Sequence, residues 1–150
     1  MSVIQSYDHT ALVSYLKSVV GDSYVFTDEE QRDKYAHDET ENLHFPPDVI
    51  VKPENTDQIS AILRYCNQHR ISVTPRGGGT GLSGGALALH GGVLLSVERM
   101  NRILDLDERN LQVTVEPGVI TEVLQNTVKE KGLFYPPDPS SRGSCFIGGN

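Results

Sequence analysis

Residues 75–85 read PRGGGTGLSGG, and six of these eleven residues are glycine. Glycine loses more backbone entropy on folding than any other residue, so a run of this density needs a structural reason. Positive φ angles and the close approach of a ligand to the backbone are the two usual reasons. Within the run, residues 79–84 match the pattern G-x-G-x-x-G that is typical of dinucleotide sites. The leading hypothesis for this stretch is therefore a loop that binds a phosphate or a pyrophosphate.

Two common phosphate-binding motifs do not fit this loop. A Rossmann site needs a helix that begins at its third glycine, so that the helix N-terminus meets the pyrophosphate. Here the glycine pairs at 84–85 and 91–92 leave only ALALH between them, and the β-rich run GVLLSVERM follows at once. A Walker loop needs Gly-Lys-Ser or Gly-Lys-Thr at its end, which is missing. A helix over about 84–97 would favour the Rossmann alternative, and a strand there would exclude it.

The remaining interpretation is a glycine-rich loop between two strands. Successive N–H groups of such a loop can turn inward and form an anion-binding nest without a helix dipole. Thr80 and Ser83 offer hydroxyl donors, and Arg76 could lie against a phosphate or cap the end of the strand. A flexible glycine turn without a ligand is the alternative.

The elements around the loop predict a strand, a helix and a second strand. Residues 48–53, DVIVKP, and residues 71–75, ISVTP, are the two short β-rich runs. Between them, residues 56–69 predict a helix with Asn55 or Thr56 as its N-cap. The glycine loop then follows the C-terminal end of the second strand, where ligands bind in α/β units. The apolar face of the predicted helix comprises Ile59, Ile62, Leu63 and Cys66.

Helical spacing also appears near both ends of the chain. Thr27 is the predicted N-cap of a short helix over DEEQRDKY, and the acidic stretch 27–48 that contains it is interpreted as a solvated helix and loop. A hairpin is predicted from two β-rich runs, ILDLD at 103–107 and LQVTVEPG at 111–118. Residues 119–131 predict a helix that ends at Gly132. A helix near the N-terminus is predicted from the helical spacing of Leu12, Tyr15, Leu16 and Val19. The apolar positions of the predicted helix over 119–131 are Ile120, Val123, Leu124 and Val128.

Composition excludes several classes of function. Thirteen basic residues against 20 acidic ones give a net charge of −7, which argues against a general nucleic-acid or membrane-surface binder. The N-terminus shows neither a signal peptide nor an anchor, so a cytoplasmic location is predicted. Cys66 and Cys145 lie too far apart for metal-ligand spacing, and the five histidines show no H-x-x-x-H pattern. No catalytic and no metal-ligating residue is predicted within the chain.

Residues 136–150, PPDPSSRGSCFIGGN, form a second loop of prolines, small hydroxyls and a Gly-Gly pair. Two such loops in one small domain predict two walls around one extended ligand. Together PRGGGTGLSGG, VEPGV and PPDPSSRGSCFIGGN resemble the FAD-binding domain of the vanillyl-alcohol oxidase and p-cresol methylhydroxylase (PCMH) family. Within that family they are similar to the branch that comprises glycolate oxidase, D-lactate dehydrogenase and D-2-hydroxyglutarate dehydrogenase.

The resemblance implies an α+β fold, a two-lobed PCMH-type domain with short strands, packed helices and FAD between the lobes. Its N-terminal part would comprise a helical lead-in over about 1–45, a first α/β lobe over 46–118 and the truncated start of a second lobe over 119–150. The first loop would wrap the pyrophosphate, and the second would run beside the ribityl chain and the flavin. Glu116-Pro117-Gly118 would be a turn near the cofactor or a plain corner. The implied FAD-binding residues are Arg76, Gly77, Gly78, Gly79, Thr80, Gly81, Leu82, Pro137, Asp138, Ser140, Ser141, Ser144, Cys145, Gly148, Gly149 and Asn150.

The resemblance further implies a flavin-dependent oxidoreductase that oxidises a D-2-hydroxy acid by hydride transfer to the flavin, with an electron-transfer subunit as a possible partner. Family members continue well past a GGN of this kind, so the chain is expected to be an N-terminal fragment that is inactive alone. Because residues 75–85 contain no histidine or cysteine, FAD is predicted to bind non-covalently. The alternative function is a non-catalytic flavin-binding or partner-docking module.

Overall fold

The computed structural model describes residues 7–150, and the predictions for residues 1–6 lie outside this range. The first helix, α1, spans His9–Val20 and buries Leu12 and Leu16 as its spacing predicts. Asp8 caps it by accepting a hydrogen bond from the backbone N–H of Ala11 at 3.0 Å. A 3-10 turn over Asp22–Tyr24 leads into the short strand β1, Val25–Phe26, which the sequence pattern does not predict.

The second helix, α2, spans Glu29–Lys34 and begins one residue later than expected. Its N-cap is Asp28, whose carboxylate accepts a hydrogen bond from the N–H of Gln31 at 2.9 Å. The prediction of Thr27 as N-cap is therefore wrong. Asp28 has the extended backbone of an N-cap, and its charged oxygen satisfies a free N–H of the first turn.

The central sheet is built around the predicted strand, helix and strand: β2, Val49–Val51, α3, Thr56–Gln68, and β3, Val73–Arg76. The next strand, β4, covers Val93–Ser96. The sheet order is β1-β2-β4-β3, with β1 antiparallel to β2 and the other pairs parallel. Because β4 occupies the region where the Rossmann alternative requires a helix, that alternative is excluded.

The prediction of Asn55 as the N-cap of α3 is confirmed, since the Asn55 side chain accepts a hydrogen bond from the N–H of Gln58 at 2.9 Å. Ile62 and Cys66 are buried against the sheet. Leu63, predicted on the same face, is 45% exposed and lies outside the core. The buried stripe of this helix is thus narrower than the apolar pattern of the sequence suggests.

The predicted hairpin comprises β5, Ile103–Asp107, and β6, Gln112–Val115, in antiparallel register. The last helix, α4, spans Thr121–Lys129, and Leu124 and Val128 are buried beneath it. Two of the positions predicted on its apolar face do not fit the prediction. Val123 is 49% exposed, and Ile120 is the N-cap rather than a helical residue.

Two apolar clusters hold these elements together. The larger one fills the space between the four-stranded sheet and helices α1 and α3. The smaller one lies between α4 and the hairpin, with Val119, Leu124 and Val128 at its centre. Within residues 7–150, no helix is long and apolar enough to cross a lipid bilayer.

Candidate dinucleotide-binding cleft

A cleft of about 370 Å³ opens between the two glycine-rich segments. Its walls come from the loop after β3, from the turn before α4 and from the C-terminal segment. The lining residues are Asp38, Pro75, Arg76, Gly77, Gly78, Gly79, Thr80, Gly81, Ser83, Gly85, Ala86, Val97, Pro117, Cys145, Phe146, Gly148 and Gly149. An elongated ligand in this cleft would therefore touch both loops, as expected for two walls of one site.

The first loop presents a row of free amide groups. None of the backbone N–H groups of residues 77–81 donates to an acceptor in the part of the chain that the structure describes. Unpaired backbone donors of this kind need water or a ligand as their acceptor. Five consecutive donors on the wall of a cleft have the composition of an anion-binding nest.

Two glycines of this loop are needed for different reasons. Gly79 has a φ of +72°, which side chains other than glycine rarely adopt. Gly78 has no positive φ, so a left-handed backbone is not the reason for glycine at this position. A Cβ at Gly78 would instead collide with the backbone carbonyl oxygen of Ser144 in the second loop. Gly78 thus permits the close approach of the two walls.

Arg76 lies directly beneath the loop and is only 8% exposed. A Cβ at Gly79 would collide with its guanidinium group. The guanidinium packs over the Tyr35 ring at 5.3 Å and donates a hydrogen bond to the Tyr35 carbonyl oxygen at 3.3 Å. Burial lowers the pKa of Arg76, but a guanidinium titrates so far above neutrality that it keeps its charge. A permanent positive charge is therefore present next to the free amides.

A buried polar network holds Tyr35 in place. The Tyr35 hydroxyl donates to Glu98 at 2.8 Å, and Lys52 forms an ion pair with the same carboxylate at 2.5 Å. Burial by itself raises the pKa of Glu98, but hydrogen bonds from Lys52 and Tyr35 outweigh this effect and hold the pKa below its ordinary value of 4.5. Glu98 thus remains charged at neutral pH, and the ring beneath Arg76 is fixed by contacts on both sides.

The acidic stretch after α2 is part of the site and is not simply a solvated loop. Asp38 is 7% exposed and lines the cleft, so the interpretation of the whole stretch as solvated is wrong at this position. The N–H of Glu39 donates to the Gly81 carbonyl at 3.1 Å, and the Thr40 hydroxyl accepts from the N–H of Gly84 at 2.8 Å. These contacts brace the glycine loop from outside.

The C-terminal segment forms the opposite wall. The Cβ of Phe146 lies 3.7 Å from the position that a Cβ on Gly77 would occupy. The N–H of Gly148 donates to the Pro117 carbonyl at 2.8 Å, and the N–H of Thr121 donates to the Cys145 carbonyl at 3.1 Å. This wall is therefore tied to the turn and helix that the hairpin positions.

Cys145 is the buried thiol of the cleft wall. Its Sγ lies 3.2 Å from the Thr121 hydroxyl oxygen. Burial by itself raises the pKa of the thiol, but hydrogen bonds from Thr121, Ser141 and Asn150 outweigh it and lower the pKa. Cys66, in contrast, is a core residue of α3, and burial raises the pKa of its thiol to about 11.

Some residues predicted at the site stand apart from the cleft. Leu82 is 75% exposed, Asp138 forms an ion pair with Arg142 at 2.8 Å, and the Asn150 amide donates to the Thr121 hydroxyl at 2.6 Å. Ser144 contributes its backbone carbonyl near Gly78 and no lining side chain. Pro137, Ser140 and Ser141 also fall outside the residues that line the cleft.

Several lining residues are not predicted by the sequence. Asp38 and Val97 carry no local motif that would single them out, and Phe146 lies within a quoted motif but is not among the implied FAD-binding residues. Ser83 and Pro117, in contrast, were named as a hydroxyl donor and as part of a turn near the cofactor. Among residues 7–150, no group of three or more His, Cys, Asp and Glu side chains is placed to hold a metal ion.

A mixed α+β fold with free amides, a buried arginine and two glycine-rich walls is typical of a dinucleotide-binding protein. Residues 47–150 match the family model described as FAD binding domain. The match covers more than half of the chain, and the chain therefore belongs to this family of FAD-binding proteins.

The chain is 50% identical over 116 residues to glycolate oxidase subunit GlcD of Bacillus subtilis (strain 168), which covers 77% of this chain and 25% of that protein. It is 41% identical over 140 residues to D-2-hydroxyglutarate dehydrogenase of Stutzerimonas stutzeri (strain A1501), covering 93% of this chain and 30% of that protein. The structure of p-cresol methylhydroxylase with substrate bound matches 83% of this chain and 25% of its own length, with 25% identity and a TM-score of 0.74. The chain thus spans between a quarter and a third of the proteins it matches.

Proposed function

We propose that this chain is the FAD-binding portion of a flavin-dependent oxidoreductase that oxidises a D-2-hydroxy acid. The observation that carries the proposal is the row of free amides at residues 77–81 above the buried guanidinium of Arg76. Backbone donors and one fixed cation match the two negative charges of a pyrophosphate, which is the central group of FAD.

Each wall has a distinct part in this proposal. The first loop, Gly77 to Leu82, holds the pyrophosphate through its N–H groups, and Arg76 supports it from below. The second segment, with Cys145, Gly148 and Gly149, runs beside the ribityl chain and the flavin. The lead-in over about 1–45, the α/β lobe over 46–118 and the start of a second lobe over 119–150 are the corresponding units of the chain.

When bound, FAD would accept a hydride from the 2-carbon of the hydroxy acid. The residues of this chain bind and orient the cofactor and supply the electrostatic environment. The named activities of the relatives, a glycolate oxidase and a D-2-hydroxyglutarate dehydrogenase, support small 2-hydroxy acids as the substrate class. The subunit naming of the first relative supports a partner subunit that receives the electrons.

The proposal includes non-covalent attachment of FAD and a cytoplasmic location. In the first loop, the side chains other than glycine belong to Arg76, Thr80, Leu82 and Ser83, none of which is suited to bond with a flavin methyl group. The Cys145 thiol is already engaged with Thr121.

The binding part is tested by titrating the 150-residue chain with FAD and recording flavin fluorescence. We expect saturable but weak binding by this chain, and the absence of FAD binding by the full-length protein that carries it would contradict the proposal. The oxidation part is tested in the full-length protein that carries this chain, by anaerobic reduction of its flavin with glycolate, D-lactate or D-2-hydroxyglutarate, and with L-lactate as the matched control. Binding without reduction by any D-2-hydroxy acid would favour a non-catalytic flavin-binding module. In the isolated chain we expect no reduction by any of these acids.

A further inference from the structure

One carboxylate of the cleft has an unsatisfied oxygen. Asp38 Oδ1 accepts a hydrogen bond from the N–H of Thr40 at 2.9 Å, while Oδ2 is buried and has no hydrogen-bond partner among the described residues. Asp38 itself is only 7% exposed and lies on the cleft wall. A buried carboxylate oxygen without a donor is costly, so its retention at a binding site indicates a missing partner.

The protein offers no strong partner for this oxygen. Arg76 lines the same cleft, yet among the described residues Oδ2 accepts no hydrogen bond from it. A Cβ placed on Gly81 of the glycine loop would stand 4.0 Å from Oδ2. Because residue 81 has no side chain, the space beside the carboxylate stays open on the cleft side.

We propose that Oδ2 of Asp38 accepts a hydrogen bond from a neutral donor, a hydroxyl or an amino group, of the bound dinucleotide. This inference rests on the proposed FAD-binding function and deepens it. The donor belongs either to the adenosine half or to the ribityl-flavin half of the ligand.

The same carboxylate fixes where the phosphates lie. A negative charge beside Gly81 repels a phosphate, whereas the Arg76 guanidinium beneath Gly79 attracts one. The phosphates are therefore held over the first three glycines of the loop, and a neutral part of the ligand lies next to Asp38. Asp38 acts in this way as a residue that sets the register of the ligand along the cleft.

The test replaces Asp38 by asparagine. In Asp38→Asn the Oδ1 atom can still accept from the Thr40 N–H, so the new Nδ2 group presents a donor where the ligand also has a donor. We expect the Kd for FAD to rise about tenfold, as for loss of a hydrogen bond to a charged group. Inorganic pyrophosphate, which competes for the same amides and has no such donor, should bind equally well or more tightly because a negative charge is removed. Asp33→Asn, at an exposed position on α2, is the charge-matched control and should leave both ligands unchanged.

Two further arms separate the possible sources of the donor and the possible roles of Asp38. ADP and FMN are titrated in the same way, and the half of FAD whose binding weakens in Asp38→Asn carries the donor. Thr40→Val removes the acceptor for the Gly84 N–H and should weaken FAD and pyrophosphate alike, which is the signature of a merely structural brace.

If Asp38→Asn shows that signature, or binds FAD as tightly as the unchanged protein, the inference is overturned while the proposed function stands. If the unchanged protein does not bind FAD at all, both are overturned. Retained pyrophosphate binding shows that the variant is folded, so a selective loss of FAD affinity supports the inference.

Discussion

The α-carbon of Gly78 faces the backbone carbonyl oxygen of Ser144 so closely that a single Cβ at residue 78 would collide with it. The two residues belong to the two opposite walls of the cleft, and each is placed by neighbouring structure of its own wall. Gly78 follows strand β3 of the four-stranded sheet, while the N–H of Ser144 is bonded to the Ser141 carbonyl at 2.8 Å. The width of the cleft therefore depends on the absence of one side chain.

We expect Gly78→Ala to weaken FAD binding by about tenfold or more, because the added methyl group forces the walls apart and shifts the free amides. The thermal unfolding temperature should also fall, since backbone atoms are the ones displaced. Flavin fluorescence titration and a thermal melt measure both effects. Gly143→Ala is the matched control, because it lies in the same C-terminal segment but meets only the end of the Glu122 side chain at 3.4 Å. Equal FAD affinity in the two variants would contradict the close-approach argument.

Gly79→Val should abolish most FAD binding, because it places a β-branched residue at a φ of +72° and against the Arg76 guanidinium. Arg76→Ala should reduce FAD affinity less, since the backbone donors of residues 77–81 remain. It should nevertheless lower thermal stability, because it empties a buried position beside Tyr35. The measurement is the Kd for FAD and the unfolding temperature of each variant. A larger loss of affinity in Arg76→Ala than in Gly79→Val would show that side-chain charge dominates over the nest.

Glu98 should contribute stability that depends on pH. Its folded pKa lies below 4.5 because Lys52 and Tyr35 hydrogen-bond to the charged form and outweigh the effect of burial. The contribution is therefore complete above about pH 4.5 and is lost as the pH falls through the folded pKa. At pH 7, Glu98→Gln should lower the free energy of unfolding by about 1 kcal/mol. The difference from the unchanged protein should shrink at acid pH.

Urea denaturation at a series of pH values between neutral and acid conditions measures this effect. Glu41→Gln, at an exposed acid of the loop after α2, serves as the control and should leave the curve almost unchanged. A difference between Glu98→Gln and the unchanged protein that stays constant with pH would rule out the charged form of Glu98 as its source.

The flavin should be released when the protein is denatured. Acid precipitation of the flavin-loaded protein should leave the yellow colour in the supernatant, because hydrogen bonds and burial hold FAD and no covalent bond does. Mass spectrometry of tryptic peptides is the second readout. Flavin mass on a peptide that contains His90 or Cys145 would disprove non-covalent attachment.

Local patterns in the sequence were sufficient for most of the elements and for the class of ligand. The strand, helix and strand around α3, the hairpin and the glycine loop between two strands were all predicted, because alternation, helical spacing and turn residues act over a few neighbouring positions. The short strand β1 was not predicted, because two residues are too few to show an alternating pattern. The errors at Leu63 and Val123 arose because hydrophobic spacing indicates which face of a helix is apolar, and does not indicate how much of that face is covered.

The sequence by itself determined that this protein carries a glycine-rich loop between two strands and a second loop of similar character, since glycine and proline restrict or release the backbone wherever they occur. Only the tertiary structure decided that Gly78 stands against Ser144, that Arg76 lies beneath Gly79, and that Asp38 borders the cleft with a free oxygen. The brace between Thr40 and Gly84 joins residues 44 positions apart, and no local pattern encodes such a contact. Those distances are set when the sheet and the two apolar clusters close, because burial of apolar surface, which is not directional, brings remote segments together and fixes which polar atoms meet.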